Sequence, residues 1–283
     1  MNLSALKSPP FRSYVVSLHL ALNGFWAQRV IIGWLAWDMT GSAGFVGLVA
    51  FLNFFPTLFV SPLFGVFADR IDIRKGSIFS YALAGTLSGL FAVICILAGP
   101  TPLLLALFSF VTGVISSANH PMRMSLTPRL APTADLPSVV AITSLNFNMS
   151  RLTGPVIGGL LIQLTGAPIA FAITAATYAA PVIAIYFMRP RDRATTDEPP
   201  TSGYINQLVD GCRYALGRSH LRVAIIFGGI GALAGRSVLE TLPILANGVF
   251  GQGPSGLGYM TAAAGAGAAG ASIFKAVSKP QKA

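Results

Sequence analysis

Eight times along this chain of 283 residues, an apolar run about as long as a bilayer is thick is followed by a polar or glycine-rich break, short except after the sixth run. The runs occupy residues 15–37, 44–67, 78–98, 103–118, 139–164, 168–188, 223–249 and 256–274. A helix needs about 20 apolar residues to cross the hydrocarbon core. Within that core, backbone polar groups are satisfied only inside helices or closed barrels. Runs of this length predict an all-α polytopic membrane protein. The fourth run is short, and Pro121 and Pro128 suggest that it continues as a bent, more polar helix towards Arg129. The first follows Lys7 and Arg12, as a signal peptide would, but it is too long for one and is interrupted by His19, Asn23, Gln28 and Arg29.

Composition agrees. Hydrophobic residues make up 53% of the chain and charged ones 10%, against about 25% charged in soluble domains. The net charge of +10, from 19 basic and 9 acidic residues, would ordinarily raise the question of nucleic acid. Here the bases lie between apolar runs with no aromatic-interleaved basic face, which argues against a nucleic-acid partner and for the lipid bilayer. The two cysteines, Cys95 in an apolar run and Cys212 in a polar stretch, imply no disulfide framework.

Alternate breaks differ sharply in charge. Lys7 and Arg12 precede the first run; Arg70, Arg74 and Lys75 follow the second; Arg123 and Arg129 follow the fourth; Arg189, Arg191, Arg193, Arg213, Arg218 and Arg222 follow the sixth. The breaks at 38–44, 99–102, 165–168 and 251–255 contain no Lys or Arg. The positive-inside rule therefore predicts a cytoplasmic N-terminus, cytoplasmic 65–75 loop, cytoplasmic linker and cytoplasmic C-terminus. Three parts are expected: a six-helix transmembrane bundle over 1–189, a cytoplasmic linker over 190–222, and two further helices with a tail over 223–283. In the linker, Tyr204, Ile205, Leu208, Val209, Cys212 and Leu216 recur at helical spacing behind Ser202, predicting a short amphipathic helix. It serves either as a coupling element or as a plain tether. A weak echo between TGSAGFVG at 40–47 and GPSGLG at 253–258 hints at an internal repeat, as in transporters.

Two motifs carry a family resemblance. Residues 65–75 read GVFADRIDIRK, and Gly65, Asp69, Arg70, Arg74 and Lys75 match the loop between helices 2 and 3 of the major facilitator superfamily. Asp72 and Ile73 depart from that pattern, standing where Gly and a base are common. In the fifth run, Gly154, Pro155, Gly158 and Gly159 of RLTGPVIGG match the Gly-Pro-x-x-Gly-Gly pattern associated with antiporters and drug exporters. The stretches FWAQRVIIGWLAWDMTGSAG, LPSVVAITSLNFNMSRLTGPVIGG and VLETLPILANGVFG resemble the branch of secretion effectors that contains the enterobactin exporter. The likeness extends to about Ala271.

This resemblance implies a major facilitator superfamily fold with a complete N-terminal six-helix bundle and the first two helices of the C-terminal half. It implies a secondary active transporter in the bacterial cytoplasmic (inner) membrane, exporting a drug-like or siderophore-like small molecule by alternating access with protons as the coupling ion. The 65–75 cluster would act as a cytoplasmic latch against the second half. The six-plus-two count suggests truncation after the eighth helix. An alternative therefore stays open, in which the chain is transport-inactive or needs a complementary partner. Oligomeric state is not legible.

Charge inside a bilayer costs about 2.5 to 3.5 kcal/mol on insertion scales and tends to face a cavity or to pair. Arg29, Arg151, Arg236 and Glu240 are such residues. Arg236 and Glu240 stand one turn apart, as a structural pair or with Glu240 as proton carrier. Arg29, with Gln28 and Asn23 nearby, either meets a substrate group or bonds a neighbouring helix. Asn146, Asn148 and Arg151 form a polar patch before the Gly-Pro kink, explained by interhelical bonds or by substrate contact. His19 is assigned no special role. Enzymatic readings fare poorly. No Gly-x-x-x-x-Gly-Lys loop or His-Glu-x-x-His pair occurs, and Ser255 in GPSG has no later His to act as its base. No cofactor or metal is implied.

Overall fold

The computed structural model describes residues 3–191 and 213–277. Inside its helices the side chains at 58, 62, 63, 65–70, 232, 233, 236, 268, 269 and 271–277 are outside the description. The described residues form helices and no strands. In chain order these are α1 (Pro9–Thr40), α2 (Ala43–Arg70), α3 (Ile73–Ala98), α4 (Pro102–Leu126), α5 (Leu136–Thr165), α6 (Ala167–Ala176), α7 (Ala179–Phe187), α8 (Ser219–Pro243) and α9 (Gly253–Val277). A helical stretch at 213–217 precedes α8, and the rest of the linker helix expected from the sequence, Cys212 included, lies outside the described residues.

The ends are set by local chemistry. Pro9 and Pro10 open α1, where a missing N–H costs nothing. Gly41, at φ +58°, closes it by donating its N–H to the Trp37 carbonyl at 2.7 Å. Asp72 caps α3, its Oδ1 accepting from the backbone N–H groups of Arg74 at 2.9 Å and Lys75 at 3.2 Å. Helix α2 runs to Arg70, so residues 65–70 are helical and the expected loop reduces to Ile71 and Asp72. The departure from the family pattern at Asp72 is thus a helix cap.

The sixth run differs from expectation in being two helices. Thr177 and Tyr178 donate their N–H groups to Thr174 and Ala175, three residues back, in a tight turn. Pro181 explains the break: it lacks an N–H to offer the Thr177 carbonyl, and its ring crowds that carbonyl. Helix α4 continues past Pro121 into a 3₁₀ turn at Thr127–Leu130, and α8 passes through Pro243 into a π-helical turn at Ile244–Val249.

Among the described residues, five helical stretches are long and apolar enough to span a membrane by composition: Pro9–Thr40, Ala43–Ser61, Ile73–Ala98, Pro102–Leu130 and, across the turn at Thr177 and Tyr178, Ala167–Phe187. Helix α5, which carries Asn146, Asn148, Ser150 and Arg151, falls below that measure.

Two compact units result, Met1–Arg191 with Thr241–Ala283, and Asp192–Glu240. In the first, α1 packs along α5, α2 along α4, and α3 against α4, α6 and α7, while α9 lies along the side of α5. Large apolar side chains such as Phe79, Leu97 and Leu103 point outward, whereas Ser77, Ser88, Ser109, Ser117 and Ser150 are almost wholly buried. Small polar residues inside and apolar ones outside suit lipid, where helices associate by close packing and hydrogen bonding rather than by apolar burial. At one end, Phe91, Phe108 and Phe171 of α3, α4 and α6 stack in a cluster with centroids 4.1 to 5.5 Å apart. The second unit's α8 exposes Val223, Ile225, Ile226, Phe227 and Ile230.

Candidate functional site

Polar residues spaced one turn apart on α1 and α5 meet as a seam. Asn146 Nδ2 donates to the Val15 carbonyl at 3.0 Å, which turns its Oδ1 towards His19 Nδ1, 2.6 Å away. A carbonyl only accepts, so the amide orientation is fixed, and His19 must carry its proton on Nδ1. Ser150 Oγ lies 3.0 Å from the same Nδ1. Asn23 Nδ2 donates to the His19 carbonyl at 2.8 Å and to Ser150 Oγ at 3.4 Å, and Thr153 Oγ1 donates to Asn23 Oδ1 at 2.6 Å. Of the sequence candidates, Asn23 and Asn146 join this seam. Asn148 is half-buried outside it. His19 belongs at its centre, against expectation; the signal was the pairing of His19 with Asn23 and of Asn146 with Ser150, each one turn apart.

The glycines of α5 serve two faces. A methyl group on Gly154 would sit 2.6 Å from Trp26 Cβ and 3.0 Å from the Asn23 carbonyl, and one on Gly158 would sit 2.8 Å from the Ala27 carbonyl, so both admit the backbone of α1. One on Gly159 would lie 2.6 Å from the Pro254 carbonyl and 3.1 Å from Gly258 Cα, so this glycine admits α9. From α9, Gly258 faces the Pro155 carbonyl and Gly265 the Arg151 carbonyl. Helix α5 is therefore in near-backbone contact on both sides, which only residues without side chains permit.

Arg29 acts as a strut. Its guanidinium donates to Asn53 Oδ1 on α2 at 3.1 Å and lies 4.6 Å from the Phe54 ring centroid. Asn53 Nδ2 in turn donates to the Ser109 carbonyl and to Thr112 Oγ1 on α4. A bond to a neighbouring helix, one of the two readings left open by the sequence, is thus present. Gln28 is buried between helices, its Oε1 accepting from Ser88 on α3 and Tyr178 at the α6–α7 break, both at 3.3 Å. The Arg151 guanidinium lies 5.8 Å from the Trp26 ring centroid.

In the 65–75 motif, Arg74 donates through Nε to the Ile185 carbonyl at 3.1 Å and through its terminal nitrogen to the Tyr186 carbonyl, supplying donors for the last carbonyls of α7. Lys75 is exposed. Gly65, Asp69 and Arg70 lie on the last turns of α2, and their side-chain positions are outside the description. The same holds for the Arg236 side chain on α8; Glu240, one turn on, is half-buried. Among the described residues no group of three or more His, Cys, Asp and Glu side chains is arranged to hold a metal.

Comparison with known proteins fits this architecture. The transmembrane secretion effector family matches residues 1–279. The Staphyloferrin A transporter of Staphylococcus aureus is 25% identical over 83% of this chain and 58% of its own length. The multidrug efflux pump Tap of Mycobacterium tuberculosis is 27% identical over 74% of this chain and 51% of its own. The enterobactin exporter EntS of Shigella dysenteriae is 27% identical over 87% and 59%. This chain therefore spans little more than half the length of these relatives, which are transporters rather than enzymes. The crystal structure of the POT family transporter PepTSo superposes with a TM-score of 0.51 over 94% of this chain and 53% of that one, at 16% identity, and shares its fold. An α-helical chain with glycine-lined contacts on both sides of α5, matched over nearly all its length, belongs to the transmembrane secretion effector family of the major facilitator superfamily and is an integral membrane protein.

Proposed function

We propose that this chain forms part of a secondary active exporter in a bacterial inner membrane, moving a siderophore-like or drug-like small molecule by alternating access. The observation that carries this reading is the double glycine contact of α5, which joins α1 on one side and α9 on the other at near-backbone distance. Smooth helix surfaces without interlocking side chains slide or rock at low cost, and α5 against α9 is the contact about which a first half would move. The relatives' names, siderophore transporters and a drug pump, support this substrate class. The Lys and Arg distribution supports a cytoplasmic start of α1, α2–α3 connection and chain after α7.

For energy coupling the reading takes proton exchange, with Glu240 on α8 as the carrier. Asn23, Gln28, Arg29, Asn146, Asn148 and Arg151 place polar groups along α1 and α5 and are the proposed lining or support of the pathway. Asp69, Arg70 and Lys75 remain the proposed latch residues, with Arg74 already engaged at the end of α7.

Everted vesicles containing the chain, alone or co-expressed with the remaining helices of a relative, test the proposal with a catecholate siderophore, a hydroxycarboxylate siderophore and a cationic dye. Accumulation that collapses with the pH gradient is expected for at least one class. Absence of accumulation for all three in both forms would remove the exporter reading. In a full-length relative, Gln in place of the residue matching Glu240 should uncouple transport from the gradient; unchanged coupling would take Glu240 out of the mechanism.

A further inference from the structure

At the end of the first unit where α1 begins, four cations from three segments converge on one cavity. Its volume is about 510 Å³, and its walls include Lys7, Arg129, Arg189, Arg191, Ser8 and Asp135. Lys7 lies in the turn before α1, Arg129 in the 3₁₀ turn after α4, and Arg189 and Arg191 follow α7. The segments are tied through their backbones. Arg191 donates its N–H to the Arg129 carbonyl at 3.0 Å, and Ser8 Oγ donates to the Leu130 carbonyl at 2.6 Å. None of the four bases forms an ion pair among the described residues, although Asp135 shares the cavity. The wall therefore holds three more positive charges than negative ones. Pro9 and Pro10 complete it without contributing an N–H.

Like charges gathered around a concave site raise its positive potential and draw an anion into it. Arginine favours phosphate in particular, since its planar fork donates two parallel hydrogen bonds to a pair of oxygens. The cavity sits where α1 begins and α4 and α7 end, and basic pockets at the ends of membrane-spanning helices suit anionic phospholipid headgroups.

We propose that this cavity binds the phosphate of an anionic phospholipid headgroup, held by Lys7, Arg129, Arg189 and Arg191. Free inorganic phosphate has the same chemistry and is the other source that could fill it. The consequence is a chain whose first bundle is anchored by lipid at the junction of α1, α4 and α7. Its position at one end of the bundle follows from the fold, so the proposal stands whether or not the chain transports.

The test uses the full chain in nanodiscs of phosphatidylcholine doped with phosphatidylglycerol, with lipid retention read by native mass spectrometry after release. The double variant Arg129→Gln/Arg191→Gln should lose phosphatidylglycerol affinity by about thirtyfold, the effect of two bases near a membrane surface. Arg129→Lys/Arg191→Lys should keep most of it, showing that the fold tolerates change at these positions. Arg213→Gln/Arg218→Gln removes the same net charge outside the cavity and should leave affinity unaltered. A parallel titration with inorganic phosphate identifies the source. Competition by phosphate that the Gln variant lacks supports the site as one for the soluble anion, and lipid retention without competition supports the headgroup. Equal loss in the two Gln variants, or no selective binding of either probe, overturns the proposal.

Discussion

His19 shows how one side chain acquires its role from its partners. Because Asn146 faces the Val15 carbonyl with its amide nitrogen, the imidazole must donate from Nδ1, and α1 and α5 are joined by bonds that Leu at either position would remove. Interhelical hydrogen bonds in membranes contribute about 0.6 kcal/mol on average and up to about 1.7. Asn146→Leu should therefore lower stability in detergent by about 1 to 3 kcal/mol, as it removes two such bonds and leaves the His19 donor without its acceptor. A thermal melt unchanged from the parent would contradict the seam. Asp72→Ala should cost about 1 kcal/mol by uncapping α3, while Asp72→Ser restores most of it. A loss shared equally by Ala and Ser would mean that the cap is not the reason. The polarity of His19 and Asn146 was plain in the sequence. Their partnership was not, because the two residues are 127 positions apart and only the packing of α1 on α5 brings them together.

At the scale of elements, α5 is a helix with two working faces. Gly154→Val should push α1 away, with crowding of the order of 1 to 3 kcal/mol, and Gly159→Val should do the same to α9 alone. Hydrogen exchange distinguishes them. Faster exchange in α9 peptides is expected from the change at Gly159 and in α1 peptides from that at Gly154; identical patterns would remove the assignment of separate faces. The sequence showed a glycine-rich motif, and a 3.6-residue period places 154 and 158 together and 159 about a quarter-turn farther round, towards a second neighbour. The broken sixth span has a similar lesson. Its hydropathy is continuous, so an apolar count sees one helix, whereas Pro181 withholds one N–H and splits it. Pro181→Ala should restore the bond to the Thr177 carbonyl and straighten the span, moving Tyr178 off Gln28; a retained break at Thr177 would show that Gly24 and Gly85, which pack there, impose it instead.

For the whole molecule, alternation of charge between breaks predicts one orientation. With Cys95 and Cys212 replaced by Ala, a Cys at Ser42 should react with an impermeant maleimide from outside intact cells, and one at Lys75 only after permeabilisation. The opposite pattern would invert the topology and with it the proposed direction of transport. The chain spans 51% to 59% of the length of the relatives compared, so transport by this chain and by a full-length relative are properties to be measured side by side.

By itself the sequence determined the class of solvent, the number of apolar runs and the family. Each depends on composition and short-range order: a run of about 20 apolar residues belongs in lipid whatever its neighbours, and Gly-Pro-x-x-Gly-Gly is legible within a single turn and a half. Tertiary structure decided what those residues touch. It turned Arg29 into a strut to Asn53, gave Arg74 the last carbonyls of α7, divided the glycines of α5 between two neighbours and gathered four scattered bases around one cavity. The physical reason is range. Apolar length and periodicity act along the chain, whereas hydrogen bonds, close helix contacts and electrostatic fields act through space, between residues that only the packing of helices makes neighbours.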